Sequence, residues 1–365
     1  MASLSDLPIR DDLRGLTPYG APQKHVRVAL NVNENTHPIP EPVARHIVES
    51  LARAVLTVNR YPDREFTQLR ESLADYLGHG LAPEQIWAAN GSNEIIQQLL
   101  QAFGGPGRSV LGFPPTYSMH SIIAAGTGTT WIAAERDAGF EISPETAVAA
   151  IEKHQPDLVF FCAPNNPTGT PLPLATIEAA YAASDYGDRR ALIVVDEAYA
   201  EFMPKGAPSA LTLLPGRERL VVSRTMSKAF AFAGARVGYL AADAAVADAL
   251  RLVRLPYHLS AFTQAAAIAA LDHAPEMLAM VDEIAGQRDR LLEELPALGY
   301  RAWPSAANFV LFDGVADPHA TFLALLERDI LVRDVGIPNS LRVTAGTEHE
   351  TTAFLEALAS VGSRA

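Results

Sequence analysis

The chain has 365 residues, 48% of them hydrophobic, and carries 29 Lys and Arg against 42 Asp and Glu, a formal charge of −13. That length supports a large core in about two to three domains, and the acidic balance makes nucleic acid and anionic membranes poor partners, since affinity for phosphate backbones comes from clustered positive charge. The single cysteine, Cys162, excludes an internal disulfide, and no His or Cys spacing suggests a metal site.

The first 37 residues show little periodicity, and their prolines and glycines around "LTPYGAP" suggest an arm lying on other structure. "MASLSDLPIRDD" lacks a basic segment followed by an apolar one, and no window approaches about 18 uninterrupted apolar residues, so a cytoplasmic protein without a membrane span is expected. Further on, "AANGSNEIIQQLLQAF" turns at Gly91 and Ser92 and then sets Ile95, Ile96, Leu99, Leu100 and Phe103 on one helical face. Ser92 is the expected N-cap, with Glu94 in the first turn. The segment reads either as an ordinary capped helix or as a phosphate site built from free N–H groups and the helix dipole.

From residue 109 short apolar runs alternate with helical spacing: "SVLGF" (109–113), "TWIAA" (130–134), "LVFFC" (158–162), "LIVVD" (192–196), "LVVS" (220–223) and "VGYLAA" (237–242). This alternation predicts an α/β fold with a mostly parallel central sheet, whose ligands sit beyond the carboxyl ends of the strands. After "LVFFC" comes "CAPNNPTGT" (162–170), either a simple turn or a site segment presenting Asn166. "LIVVDEAYAEF" ends a strand on Asp196 and Glu197. Acids at a strand end can hold magnesium beside a Walker lysine, but no such motif occurs; the other reading makes Asp196 a counter-charge to a protonated ring nitrogen and Tyr199 a nearby hydroxyl donor.

"SRTMSKAFAFAGARVGYL" (223–240) places Lys228 among small apolar residues, with Arg236 eight positions on. A desolvated lysine near another cation has a depressed pKa and suits Schiff-base chemistry. Beyond residue 260 two helical stretches precede the short strand candidates "NFVLF", "ILVRD" and "LRVTA", the pattern of a smaller α+β domain. The expected division is an arm over 1–37, a large α/β domain over 38–259 and a small C-terminal α+β domain over 260–365.

The segments "ANGSNE", "PTYSMH", "APNNPTG", "VVDEAY", "SRTMSKAFAFAGARVG" and "LRVTAG" occur in this order over nearly the whole chain. Together they resemble the fold-type I aminotransferases that use pyridoxal 5′-phosphate. "LRGLTPYGAP", "YPD" at Tyr61–Asp63 and "RLPYHLS" at 254–260 are similar to the histidinol-phosphate aminotransferases, in their actinobacterial form. The resemblance implies that Lys228 holds the cofactor covalently and moves the substrate Cα proton, and that Asp196 keeps the pyridine nitrogen protonated. It also implies that Asn166 and Tyr199 bond the ring oxygen and that Tyr117 stacks on the ring. Arg236, Thr225, Ser227 and the Gly91-Ser92-Asn93 turn would hold the phosphate, with Tyr61 reaching in from the partner of a homodimer.

For substrate, the resemblance implies Arg342, Arg333, Tyr19 and Tyr257, with "RDVGIPNSLR" a short connection between the two arginines. The expected reaction is the reversible transamination of histidinol phosphate with 2-oxoglutarate, a step of histidine biosynthesis. An aromatic amino-acid aminotransferase or a phospho-amino-acid decarboxylase on the same scaffold is the alternative. A noncatalytic cofactor-binding regulator with a DNA-binding domain fits less well, because the catalytic segments occupy most of the chain and its charge is −13.

Overall fold

The computed structural model describes residue 3, residues 6–15 and residues 18–362; parts of the expected arm (1, 2, 4, 5, 16 and 17) and of the expected small domain (363–365) lie outside the described residues. In chain order the elements are β1 (Val28–Ala29), α1 (Glu41–Val55), α2 (Thr67–Leu77), β2 (Ile86–Ala89), α3 (Ser92–Phe103), β3 (Ser109–Gly112), α4 (Ser118–Thr127) and β4 (Thr130–Ala133). There follow α5 (Pro144–His154), β5 (Leu158–Cys162), α6 (Leu174–Ala183), β6 (Leu192–Asp196), β7 (Leu220–Thr225), β8 (Gly238–Ala242), α7 (Ala244–Val253) and α8 (Ala261–Leu271). The C-terminal part comprises α9 (Ala274–Ala297), β9 (Arg301–Ala302), β10 (Phe309–Asp313), α10 (Pro318–Leu326), β11 (Ile330–Leu331), β12 (Ser340–Thr344) and α11 (Glu348–Gly362).

Seven strands form the main sheet in the order β2-β8-β7-β6-β5-β3-β4. The β7–β6–β5–β3–β4 pairings are parallel, and β8 runs antiparallel to both neighbours. Every residue of β5 and β6 is buried, as expected of strands covered on both faces. The short "IWAA" run of β2, which periodicity alone does not distinguish from a helix segment, forms the edge strand. Helix starts coincide with side-chain caps: Ser143, Asp243, Ser260 and Asp317 each accept a first-turn backbone N–H of α5, α7, α8 and α10.

Cys162 is level with Asp196 across β5–β6, and Asp196 with Ser223 across β6–β7. The carboxyl ends of three parallel strands therefore open onto one region, and the segments that follow them must meet there. A second antiparallel sheet, β12-β10-β9, packs with α9 and α11. Val28–Ala29, within the stretch read as an arm, pairs in parallel with Ile330–Leu331, so the chain entering the site is tied to the C-terminal layer. Helix α8, just past residue 260, packs mainly on α1 and α2.

Candidate active site

A cavity of about 580 Å³ lies beyond the carboxyl ends of β5, β6 and β7. Asp196 ends β6, and its carboxylate is 2% exposed. One oxygen lies 3.0 Å from His120 Nε2, and the other accepts the Ala198 amide at 3.2 Å and the Ser223 hydroxyl at 3.4 Å. No Lys or Arg pairs with it among the described residues, so a buried carboxylate with neutral and imidazole partners faces the cavity.

Lys228 stands three residues beyond β7, and its Nζ donates to the Val32 carbonyl at 3.0 Å. Burial chiefly, with the nearby Arg342 and Arg236 charges, lowers its pKa to about 8 against an opposing contribution from Glu34. Thr225 Oγ1 accepts the Ser227 amide N–H at 3.1 Å and lies 3.1 Å from the Val237 carbonyl, which pins the tight turn between β7 and Lys228.

Arg236 reaches across to the start of α3, 3.4 Å from the Asn90 carbonyl, and has no carboxylate partner among the described residues. Gly91 makes this approach possible: a Cβ there would lie 2.3 Å from Arg236 Nη2, and a Cβ on Gly238 would lie 2.2 Å from the Gly91 carbonyl carbon and the Ser92 nitrogen. The N-cap is Gly91 and not Ser92, which is the first residue of α3. The correction has a backbone cause, because Gly91 adopts φ +86° and ψ 162°, a conformation nearly reserved for glycine. Glu94 takes over the reciprocal bond, accepting the Asn90 amide at 2.5 Å.

Asn166 is buried between two cavity residues, accepting from Arg342 Nη1 at 2.6 Å and donating to the Tyr199 hydroxyl at 3.3 Å. Arg342 also donates to the Asn31 carbonyl at 2.6 Å and sits over the Phe309 ring. Buried and without a counter-ion among the described residues, it has its pKa pulled down to about 10 chiefly by desolvation. Arg333 pairs backbone to backbone with Arg342, and its guanidinium lies 5.9 Å from the Tyr19 ring centroid. The Tyr117 hydroxyl donates to Asn93 Oδ1 at 3.1 Å. Burial raises the pKa of both Tyr117 and Tyr199, keeping them protonated donors, and pushes Cys162, also on the cavity wall, up to about 12.

Thirteen of the sixteen residues singled out from the sequence line this cavity, and Gly91 lies directly behind it. Tyr61 and Tyr257 do not line it. They stack on each other outside, with centroids 4.4 Å apart, and Tyr61 is 79% exposed. Sequence reasoning missed His120, Asn33 and Thr344. His120 closes the motif "PTYSMH", but only the fold brings it to Asp196, whereas the polar run "NVNEN" carried no periodic signal.

The donor set suits pyridoxal 5′-phosphate. A buried carboxylate that no Lys or Arg pairs with among the described residues, an amine of lowered pKa and an arginine without a carboxylate partner share one cavity, complementing a ring N–H⁺, an aldehyde and a phosphate.

Residues 26–358 match the family model described as aminotransferase class I and II. A histidinol-phosphate aminotransferase of Paenarthrobacter aurescens is 58% identical over 97% of this chain and 95% of its own length. One from Thermobifida fusca is 55% identical over 100% and 98% respectively. Among solved structures, histidinol-phosphate aminotransferase from Sinorhizobium meliloti in complex with pyridoxal-5′-phosphate superposes with a TM-score of 0.85 at 24% identity, covering 98% of both chains, a likeness of fold.

Proposed function

This chain belongs to the aminotransferase class I and II family, and from that premise we propose that it is a histidinol-phosphate aminotransferase working through pyridoxal 5′-phosphate. It interconverts histidinol phosphate and 2-oxoglutarate with imidazole-acetol phosphate and glutamate, in histidine biosynthesis. The observation that carries the reading is Lys228, a partly buried amine with a pKa lowered to about 8, set in one cavity with a buried carboxylate and an arginine lacking a carboxylate partner among the described residues.

Bound there, the cofactor supplies an aldehyde that takes up amines and a protonated ring that withdraws electron density from the substrate Cα. Lys228 Nζ would anchor it and would serve as the base for the Cα proton, a role its lowered pKa permits near neutral pH. Asp196 would provide the counter-charge for the ring N–H⁺, its carboxylate oriented by His120 at one oxygen and Ser223 at the other. Asn166 and Tyr199, both on the cavity wall, would donate to the ring oxygen, and Tyr117 would cover the ring. Arg236, Ser92, Asn93, Thr225 and Ser227 would hold the phosphate, together with the amino end of α3.

Arg342, a desolvated cation, takes the substrate's anionic end, and Arg333 with Tyr19 closes on the histidinol phosphate group. The chain acts in the cytoplasm as a homodimer. Supporting this, Leu56, Tyr61, Leu252 and Leu255 are 75% exposed or more, an apolar display that a second copy would cover. In that dimer Tyr61 and Tyr257 serve the neighbouring site. The test is turnover of histidinol phosphate against phenylalanine, each with 2-oxoglutarate. Preference for histidinol phosphate is expected, whereas equal or better use of phenylalanine would replace this reading with an aromatic aminotransferase.

A further inference from the structure

Tyr199 receives two amide donors on its hydroxyl oxygen, Asn33 Nδ2 at 3.0 Å and Asn166 Nδ2 at 3.3 Å. Both amides are oriented by neighbours whose donor character is unambiguous. A guanidinium only donates, so the Asn166 atom 2.6 Å from Arg342 Nη1 is the carbonyl oxygen, and its NH₂ turns to Tyr199. At Asn33 the backbone N–H donates to Thr344 Oγ1 at 3.0 Å. That leaves the Thr344 hydroxyl proton for Asn33 Oδ1 at 3.1 Å, and the Asn33 NH₂ likewise faces Tyr199.

A phenol offers two acceptor directions and one proton. With both acceptor directions met by amides, only the proton remains free, and among the described residues Tyr199 donates it to no protein group. Tyr199 lines the cavity and is 4% exposed, so water does not compete freely for that proton. Burial also keeps the phenol protonated. The two residues that set the amides, Arg342 and Thr344, are two apart on β12 and project from the same face of the strand.

We propose that Asn33, held in orientation by Thr344, is a positioning residue that forces the Tyr199 hydroxyl proton into the cavity, where it donates to the anionic ring oxygen of the cofactor. The inference rests on the cofactor assignment above and adds to it the source of that proton's direction. In this role Asn33, itself on the cavity wall, acts through the Tyr199 hydroxyl. Losing it frees the phenol to rotate, which weakens the bond that stabilises the ionised ring oxygen and raises the pH at which the bound chromophore titrates.

The experiment is a pH titration of the visible absorbance of the pyridoxal 5′-phosphate holoenzyme. Asn33 has φ +56°, so Asn33→Gly removes the amide without straining the backbone. Asn33→Gly and Thr344→Val should each weaken the chromophore's acid dissociation roughly three- to tenfold, the effect of one lost hydrogen bond, and Thr344→Ser should titrate like wild type. In a Tyr199→Phe background, Asn33→Gly should add nothing. Unmoved midpoints in Asn33→Gly and Thr344→Val, or an equal shift without the Tyr199 hydroxyl, would overturn the positioning role. The Thr344 pair decides the matter should Asn33→Gly fail to fold. A wild-type protein that takes up no titrating chromophore overturns the cofactor assignment instead, so the two failures are told apart.

Discussion

Lys228 Nζ lies 3.0 Å from the carbonyl oxygen of Val32, so among the described residues the amine's hydrogen-bond partner is a backbone acceptor and not a carboxylate. Desolvation is therefore offset only by a neutral dipole and by the more distant Glu34, and the Lys228 pKa falls from 10.5 to about 8. Because the unfolded chain binds this proton more tightly, the destabilisation is complete below pH 8 and disappears as pH rises through 10.5. Lys228→Met should abolish transamination yet stabilise the cofactor-free protein at pH 7 by up to about 3 kcal/mol. Denaturant melts at pH 7 and above pH 10.5 check this. An equal gain at both would show that packing and not protonation is responsible.

Gly91 and Gly238 test the phosphate cradle in different ways. The added Cβ of Gly91→Ala meets the tip of Arg236, whereas that of Gly238→Ala meets the backbone of residues 91 and 92. Gly91→Ala should cost about 1–3 kcal/mol of stability through its unusual backbone conformation and weaken cofactor binding by displacing Arg236. Gly238→Ala should push the turn into α3 off β8 and lower the melting temperature further. Cofactor affinity and thermal melts separate the two, and wild-type affinity in Gly91→Ala would remove Arg236 from the cradle.

Arg342 has both Nη atoms engaged by neutral acceptors and no counter-ion among the described residues, which suits it to the anion-binding role proposed above. Arg342→Lys should impair both half-reactions, each by about 2–5 kcal/mol, if the lost contact is a desolvated charge pair. Tyr19, half-exposed beside Arg333, should matter more to the phosphorylated substrate. Single-turnover rates of Tyr19→Phe with histidinol phosphate and with glutamate check this, and equal losses would take Tyr19 out of phosphate recognition.

Tyr61 is exposed beside Tyr257 and away from its own cavity, which motivates a contribution in trans. Mixing Tyr61→Ala with Lys228→Ala subunits should restore activity, because one site of each heterodimer then holds both intact residues. Absence of recovery despite demonstrated subunit exchange would argue that Tyr61 acts within its own chain or not at all.

On the face of β7 opposite Ser223 and Thr225, Arg224 pairs with the buried Glu197 at 2.8 Å and with Glu201 at 3.4 Å, Arg224 and Glu201 being only slightly exposed. Arg224→Met would leave two carboxylates without their cation and should cost about 3–5 kcal/mol. Replacing Glu197 and Glu201 with Gln in the same chain should recover part of that loss. Chemical denaturation reads both, and no recovery would mean that the arginine's packing outweighs its charge.

The sequence by itself determined the elements and the local chemistry. Apolar runs such as "LVFFC" and "LIVVD" become strands wherever both sheet faces are covered, and turn residues must follow them, so Asn166, Asp196 and Lys228 were legible as residues at strand ends. These signals are local in the chain and survive without knowledge of the fold. The tertiary structure decided what depends on chain segments far apart: that β8 runs antiparallel, that His120 reaches Asp196, and that Asn33, Thr344 and Asn166 converge on Tyr199. Asn33 and Thr344 are 311 residues apart, and no periodicity encodes their meeting. Only the parallel pairing of β1 with β11 carries the polar run of residues 31–35 across the cavity, where hydrogen bonds give those side chains their orientation.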